Sequence, residues 1–203
     1  MLRRTFLYHA LTILCLVFGA MAEAQAHSFK VGFIAPLSGP EMENGQQALQ
    51  AMLLAADERD RHPDNASDGH LGGLDVYIRK VNTNQPEAAL LSDIQRSVIN
   101  DDIQFISGLI PDSIRQSVID QLREVNVPYI DTPVITVTDL TMMDGGSFAE
   151  SFTRRFDYSP NLSALQGYRI ARILDQVVRA IDGDFSDPAR IKEVIKKVVD
   201  ADE

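Results

Sequence analysis

The chain has 203 residues, 45% of them hydrophobic and 24% charged, with 29 acidic against 19 basic side chains and a formal net charge of −10. An acidic balance of this size excludes nucleic-acid binding, which needs a basic patch, and docking on anionic lipid. Solubility is the plain role of the charge. The single cysteine, Cys15, lies in an N-terminal apolar run, so no disulfide framework holds the rest of the chain.

The first element reads as an export signal. Arg3 and Arg4 supply the positive start, Phe6 to Phe18 the apolar run, and Ala24-Gln25-Ala26 a small-residue cleavage site. This predicts cleavage after Ala26 and a periplasmic chain beginning at His27. The run is too short for a membrane span, and no later stretch reaches the roughly 20 apolar residues a spanning helix needs; no membrane insertion is expected. The 177 residues that follow carry 17 basic and 28 acidic side chains, and that length builds one domain with a proper core.

Four short, β-branched runs then alternate with helical patterns. Strands are predicted at Lys30–Ala35, Leu74–Lys80, Gln104–Gly108 and Pro128–Ile130. Helices are predicted between them at about Glu43–Arg61, Glu87–Asn100 and Ser113–Glu124. Leu49, Met52, Leu53 and Ala56 recur at helical spacing and form one apolar stripe. Short continuous apolar strands separated by helices imply right-handed crossovers and a parallel sheet covered on both faces. Thr141 to Gly146, with its Gly145-Gly146 pair, reads as a joint. Beyond it the alternation stops, and Ser147–Phe156, Leu162–Ile181 and Pro188–Val199 all read as helices. Asp187 before Pro188 is a cap followed by proline at the first helical position.

The order of short motifs carries a resemblance. Ser38-Gly39-Pro40, a gap, then Gly45-Gln46-Gln47 open the chain. Pro86-Glu87-Ala88-Ala89, Ile106-Ser107-Gly108 and Thr132-Pro133 with Thr136 follow. A later block holds Phe148, Phe152, Phe156, Pro160-Asn161, Ala164, Gly167-Tyr168, Gly183-Asp184 and Asp187-Pro188. In this order the chain resembles the type I periplasmic solute-binding proteins, in particular the leucine/branched-chain amino-acid binding group. The resemblance implies an α/β fold: a three-layer lobe on a parallel sheet of strand order 2-1-3-4, with C-terminal helices. Residues 1–26 are then the signal peptide, 27–141 the Rossmann-like α/β part of lobe one, and 147–203 a helical segment packing on the same lobe. Both blocks belong mainly to the first lobe of such proteins, so a single-lobe chain is expected.

Ligands of open parallel sheets bind outside the carboxyl ends of the strands. Ser38 and Gly39 follow the first strand there and lead into a helix whose free N–H groups suit a carboxylate; the alternative is ordinary turn chemistry. The resemblance assigns Ser113 and Thr136 to holding a ligand carboxylate. Ser113 has a competing role as a helix cap, and Thr136 as a β-branched residue of an extended edge. Leu109-Ile110-Pro111-Asp112 stands where the family has a serine-rich stretch, and Val81-Asn82 where it has an acidic pair.

His62 and His70 lie near Asp60, Asp64 and Asp68, at spacings that match neither a zinc nor a calcium pattern, and read as a solvated acidic loop. No nucleophile elbow, phosphate loop or catalytic carboxylate pair occurs, so an enzyme is not expected, and neither is a cofactor or a metal. Tyr158 and Tyr168 are expected to pack within the helical block. The resemblance implies a module of an ABC-type uptake system that lacks the second lobe and recognises a small amino-acid-like or carboxylate solute. A membrane permease or a second copy of the chain would be its protein partner. The competing class is a non-transport periplasmic interaction or adaptor protein built on the same lobe.

Overall fold

Strands whose residues are apolar on both faces must lie between two helical layers, and the chain meets that demand. The computed structural model describes residues 27–59, 66–131 and 147–202. The export signal, Thr136, the joint at 141–146 and the histidine-aspartate stretch at 60–65 lie outside them.

In chain order the elements are β1 (Ser28–Ala35), α1 (Met42–Asp57), β2 (His70–Leu71), β3 (Leu74–Asn82), α2 (Glu87–Asp101), β4 (Phe105–Gly108), α3 (Asp112–Glu124), α4 (Ser147–Phe156), α5 (Leu162–Ala180) and α6 (Pro188–Asp202). The sheet runs β2-β3-β1-β4. β1 is parallel to both central neighbours, with Val31 opposite Ile78 on one side and Phe105 on the other. The segment expected as a fourth parallel strand is reduced to one bridge between Ile106 and Tyr129. Its hydrogen bonds remain strand-like: Ile106 N–H donates to Pro128 O at 2.9 Å and Ile130 N–H to Ile106 O at 2.9 Å. The expected order of these four segments therefore holds.

An antiparallel strand was not expected. β2 folds back on β3 through Gly72-Gly73, pairing His70 with Asp75. Two positive-φ glycines, at 66° and 86°, make that tight return possible where other residues would be strained.

Alternation along β1 divides the core. Phe29, Val31 and Phe33 face a large cluster with α1, α4, α5 and α6, whereas Ile34 joins Val81, Ile106, Leu90 and Leu122 against α2 and α3. Each such fully buried side chain contributes about 1.5–3 kcal/mol. On the larger side α5 lies directly on α1: a Cβ at Gly167 would stand 1.9 Å from the Ala48 carbonyl oxygen, so only glycine permits the approach. Caps set the later helix starts. Asn161 Oδ1 accepts from Ala164 N–H at 2.9 Å, and Asp187 Oδ1 accepts from Ala189 and Arg190 N–H at 3.0 and 3.1 Å. Tyr168 is buried against Phe148, ring centroids 4.6 Å apart. Tyr158 stays 40% exposed, edge-on to Phe152.

Candidate functional site

The parallel strands put the loops after β1, β3 and β4 on one rim of the sheet. β1 leads into α1 on the larger-core face, whereas β4 leads into α3 on the opposite face. The two loops therefore diverge, and a crevice opens between the ends of these neighbouring strands, which is where open α/β sheets hold ligands. A cavity of about 350 Å³ occupies it. Pro36 and Leu109 to Pro111 supply apolar walls, and Glu41, Asn44, Arg115, Ser163 and Gln166 the polar ones.

A network of side-chain amides shapes one wall. Glu41 accepts from Asn44 Nδ2 at 2.7 Å, Asn44 Oδ1 accepts from Asn161 Nδ2 at 3.0 Å, and Gln47 Oε1 accepts from Asn161 N–H at 2.8 Å. These bonds tie the first turns of α1 to the start of α5. On the other wall Arg115 donates to Asp131 at 2.6 Å, to Asp112 at 3.2 Å and to the Ile110 carbonyl at 3.1 Å. Partial burial disfavours its charge, but Asp112 and Asp131 outweigh that and hold the guanidinium above its ordinary pKa. Tyr129 donates to the same Asp131 oxygen at 2.9 Å; burial first, then the Asp131 charge, pushes the phenol up. Arg115 thus fastens the loop after β4 to the segment after Tyr129, and three of its N–H directions are already used.

The expected ligand residues fall at three places. Ser38 is half-buried in the loop after β1, where its Oγ accepts from Asn82 Nδ2 at 2.8 Å and from Asn84 Nδ2 at 3.1 Å. Gly39 follows at φ 76°, and a Cβ there would lie 2.5 Å from Asn84 Nδ2. Ser113 is exposed, and it is not the cap of α3: Pro111 holds the cap position and Asp112 is the first helical residue. The Pro111 backbone is extended, φ −57° and ψ 140°, and the helix starts immediately after it. Thr136 lies outside the described residues. Ser38 and Gly39 are therefore brought together with the asparagines of the β3 loop, while Ser113 stands apart on α3.

Asn82, Asn84, Glu41, Asn44 and Arg115 were not singled out from the sequence as site residues. Arg115, four residues after Pro111 and hence one turn into the helix that follows β4, carried the clearest available signal. Of the histidine-aspartate stretch, His70 Nε2 lies 2.9 Å from Asp75, and Asp68 accepts the Ile78 N–H at 2.7 Å.

No protein-family model matches the sequence, and a comparison with curated protein sequences also gave no match. Solved structures do match. An ABC transporter substrate-binding protein from Sphaerobacter thermophilus superposes with a TM-score of 0.68 at 12% identity, over 83% of this chain and 85% of that one. A leucine-binding protein from Thermotoga maritima gives a TM-score of 0.65 at 10% identity, covering 83% and 87%. The chain has the fold of the type I periplasmic binding proteins. A third protein of this fold, an ABC transporter solute-binding protein from R. palustris solved with benzoate, gives a TM-score of 0.67 at 12% identity over 84% and 85% of the two chains. These neighbours are binding proteins, not enzymes. Among the described residues no helix is long and apolar enough to cross a membrane.

Proposed function

We propose that the chain is an exported solute-binding module of an ABC-type uptake system. It recognises a small amino-acid-like or carboxylate solute in the crevice at the carboxyl ends of β1 and β4. The observation that carries this reading is the 350 Å³ cavity at the point where the crossovers leave on opposite faces. Ser38 and Gly39, in the loop between the lining residues Pro36 and Glu41, together with Ser113 and Thr136, are the proposed ligand residues. The signal is removed after Ala26 to release a periplasmic chain. Residues 27–141 and 147–203 together form lobe one, and the crevice opens at its rim. An open site of this kind holds its ligand weakly unless a permease or a second copy of the chain supplies a facing wall.

The test is thermal unfolding of the chain from His27, alone and with leucine, isoleucine, benzoate and related carboxylates. A ligand at about 100 times its dissociation constant raises stability by about 2.7 kcal/mol, which a melt resolves. A shift with one compound class supports the reading, and a cooperative melt that no compound moves overturns it. The adaptor reading gains from the exposure of Met42 and Leu162, 41% and 37%. They are the first residues of α1 and α5, whose starts the Asn161–Asn44 bond joins beside the cavity. An unmoved melt together with dimerisation in solution favours that alternative.

A further inference from the structure

Ser38 carries one O–H donor and two lone pairs. Asn82 Nδ2 donates to its oxygen at 2.8 Å and Asn84 Nδ2 at 3.1 Å, which fills both lone pairs with the Asn84 amide in this orientation. The orientation of Asn82 is dictated from behind. Its Oδ1 accepts the Leu37 N–H at 2.9 Å and the Asn84 N–H at 3.1 Å, which only the carbonyl end of a carboxamide can do, and its NH2 end must then face Ser38. The side chain of Gln85 secures the same turn by donating to the Asn82 carbonyl at 2.8 Å. With its acceptor sites filled, the serine hydroxyl can act only as a donor, and no described residue accepts from it. Ser38 sits in the loop between Pro36 and Glu41, both of which line the cavity.

We propose that Asn82 is a positioning residue that fixes Ser38 as a hydrogen-bond donor to an acceptor group of the bound solute, a carboxylate oxygen by preference. A charged acceptor makes the shorter and stronger bond to a hydroxyl. The assignment rests on the reading of the crevice as the binding site and adds the polarity of that site. It also makes residue 82 a selector. A carboxamide there turns the serine hydrogen outward. A carboxylate of the same shape would keep the Leu37 and Asn84 N–H bonds on one oxygen and draw the serine hydrogen inward with the other.

The test uses the full chain with leucine and benzoate as carboxylate probes. Dissociation constants are measured by calorimetry for the parent, Ser38→Ala, Asn82→Asp and the double variant. The Asn82 side-chain amide is followed by NMR without ligand. Each single variant is expected to bind at least one probe about tenfold more weakly, the double variant no more weakly than either single one, and Ser38→Ala to move the Asn82 amide resonances. Equal binding by parent and single variants overturns the proposal while the crevice remains the binding site. If Asn82→Asp weakens binding as much in the Ser38→Ala background as alone, its added charge is the cause and the proposal falls. An Asn82 amide that ignores Ser38→Ala overturns the hydrogen-bond assignment itself. A parent chain that binds neither probe overturns the proposal together with the reading it rests on.

Discussion

At Asp175 a carboxylate that is 6% exposed accepts the Gly72 N–H at 2.7 Å and faces Arg59 and Arg179, each at 3.2 Å. It joins α5 to the β2–β3 return and to the end of α1. Burial alone would raise its pKa. The Arg179 hydrogen bond, the Gly72 N–H and the Arg59 charge outweigh burial, and the pKa lies below the ordinary value. A depressed carboxylate pKa contributes stability that is complete above the ordinary value, near pH 4, and is lost as pH falls through the folded-state value. Asn at this position keeps the shape and loses the charge. Asp175→Asn is therefore expected to lower stability by about 1–3 kcal/mol at pH 7, with the gap to the parent closing below about pH 4. Urea unfolding at pH 7, 5 and 3 checks this; a gap that is constant with pH would show that the carboxylate charge contributes nothing.

Among the elements, the pair α1 and α5 carries the larger core, and Gly167 sets their separation. Gly167→Ala places a methyl group 1.9 Å from the Ala48 carbonyl oxygen, a backbone atom that cannot rotate away. The helices must then move apart, at a cost of about 3 kcal/mol or more; chemical denaturation measures the loss, and unchanged stability would mean that the two helices slide freely. Much of this level was legible in advance. The periodicity of Leu49, Met52, Leu53 and Ala56 located α1, and Asp187-Pro188 located the start of α6, because each is a local pattern with a local cause. Two features were not legible. β2 has only two residues, too few for a period-2 signal, so Gly72-Gly73 was its sole trace. The start of α3 falls at Asp112 rather than Ser113, directly after the extended Pro111. The site divided along the same line. Ser38 and Gly39 stood out because they follow a strand. Asn82 and Asn84 gain their meaning from a loop more than forty residues away in sequence, a pairing that no local pattern encodes.

For the whole molecule, the parallel order β3-β1-β4 and the three layers follow from alternation and handedness rules that act on the entire chain. The division of the core into two clusters has a direct test. Among the described residues the smaller cluster draws on those between Ile34 and Tyr129, whereas the larger one includes α4, α5 and α6. A chain ended after residue 146 is expected to lose cooperative unfolding, because Phe29, Val31 and Phe33 would then keep only α1 of the four helices in their cluster. Calorimetry checks it, and a cooperative transition in the shortened chain would show that the first half folds by itself.

The contact between α1 and α5 also has a consequence in time. Among the described residues the first helix to be synthesised, α1, is covered by α5, and at ordinary elongation rates roughly ten seconds of synthesis separate the two. Throughout that interval the side of α1 that packs on α5 is uncovered, and the larger core cannot close. The export proposed above would gain from this delay, since a polypeptide that has not yet folded can still be threaded through a translocation pore. The same interval exposes the Leu49–Met52 stripe to chaperones, so the helix that completes the fold also determines how long the chain depends on them.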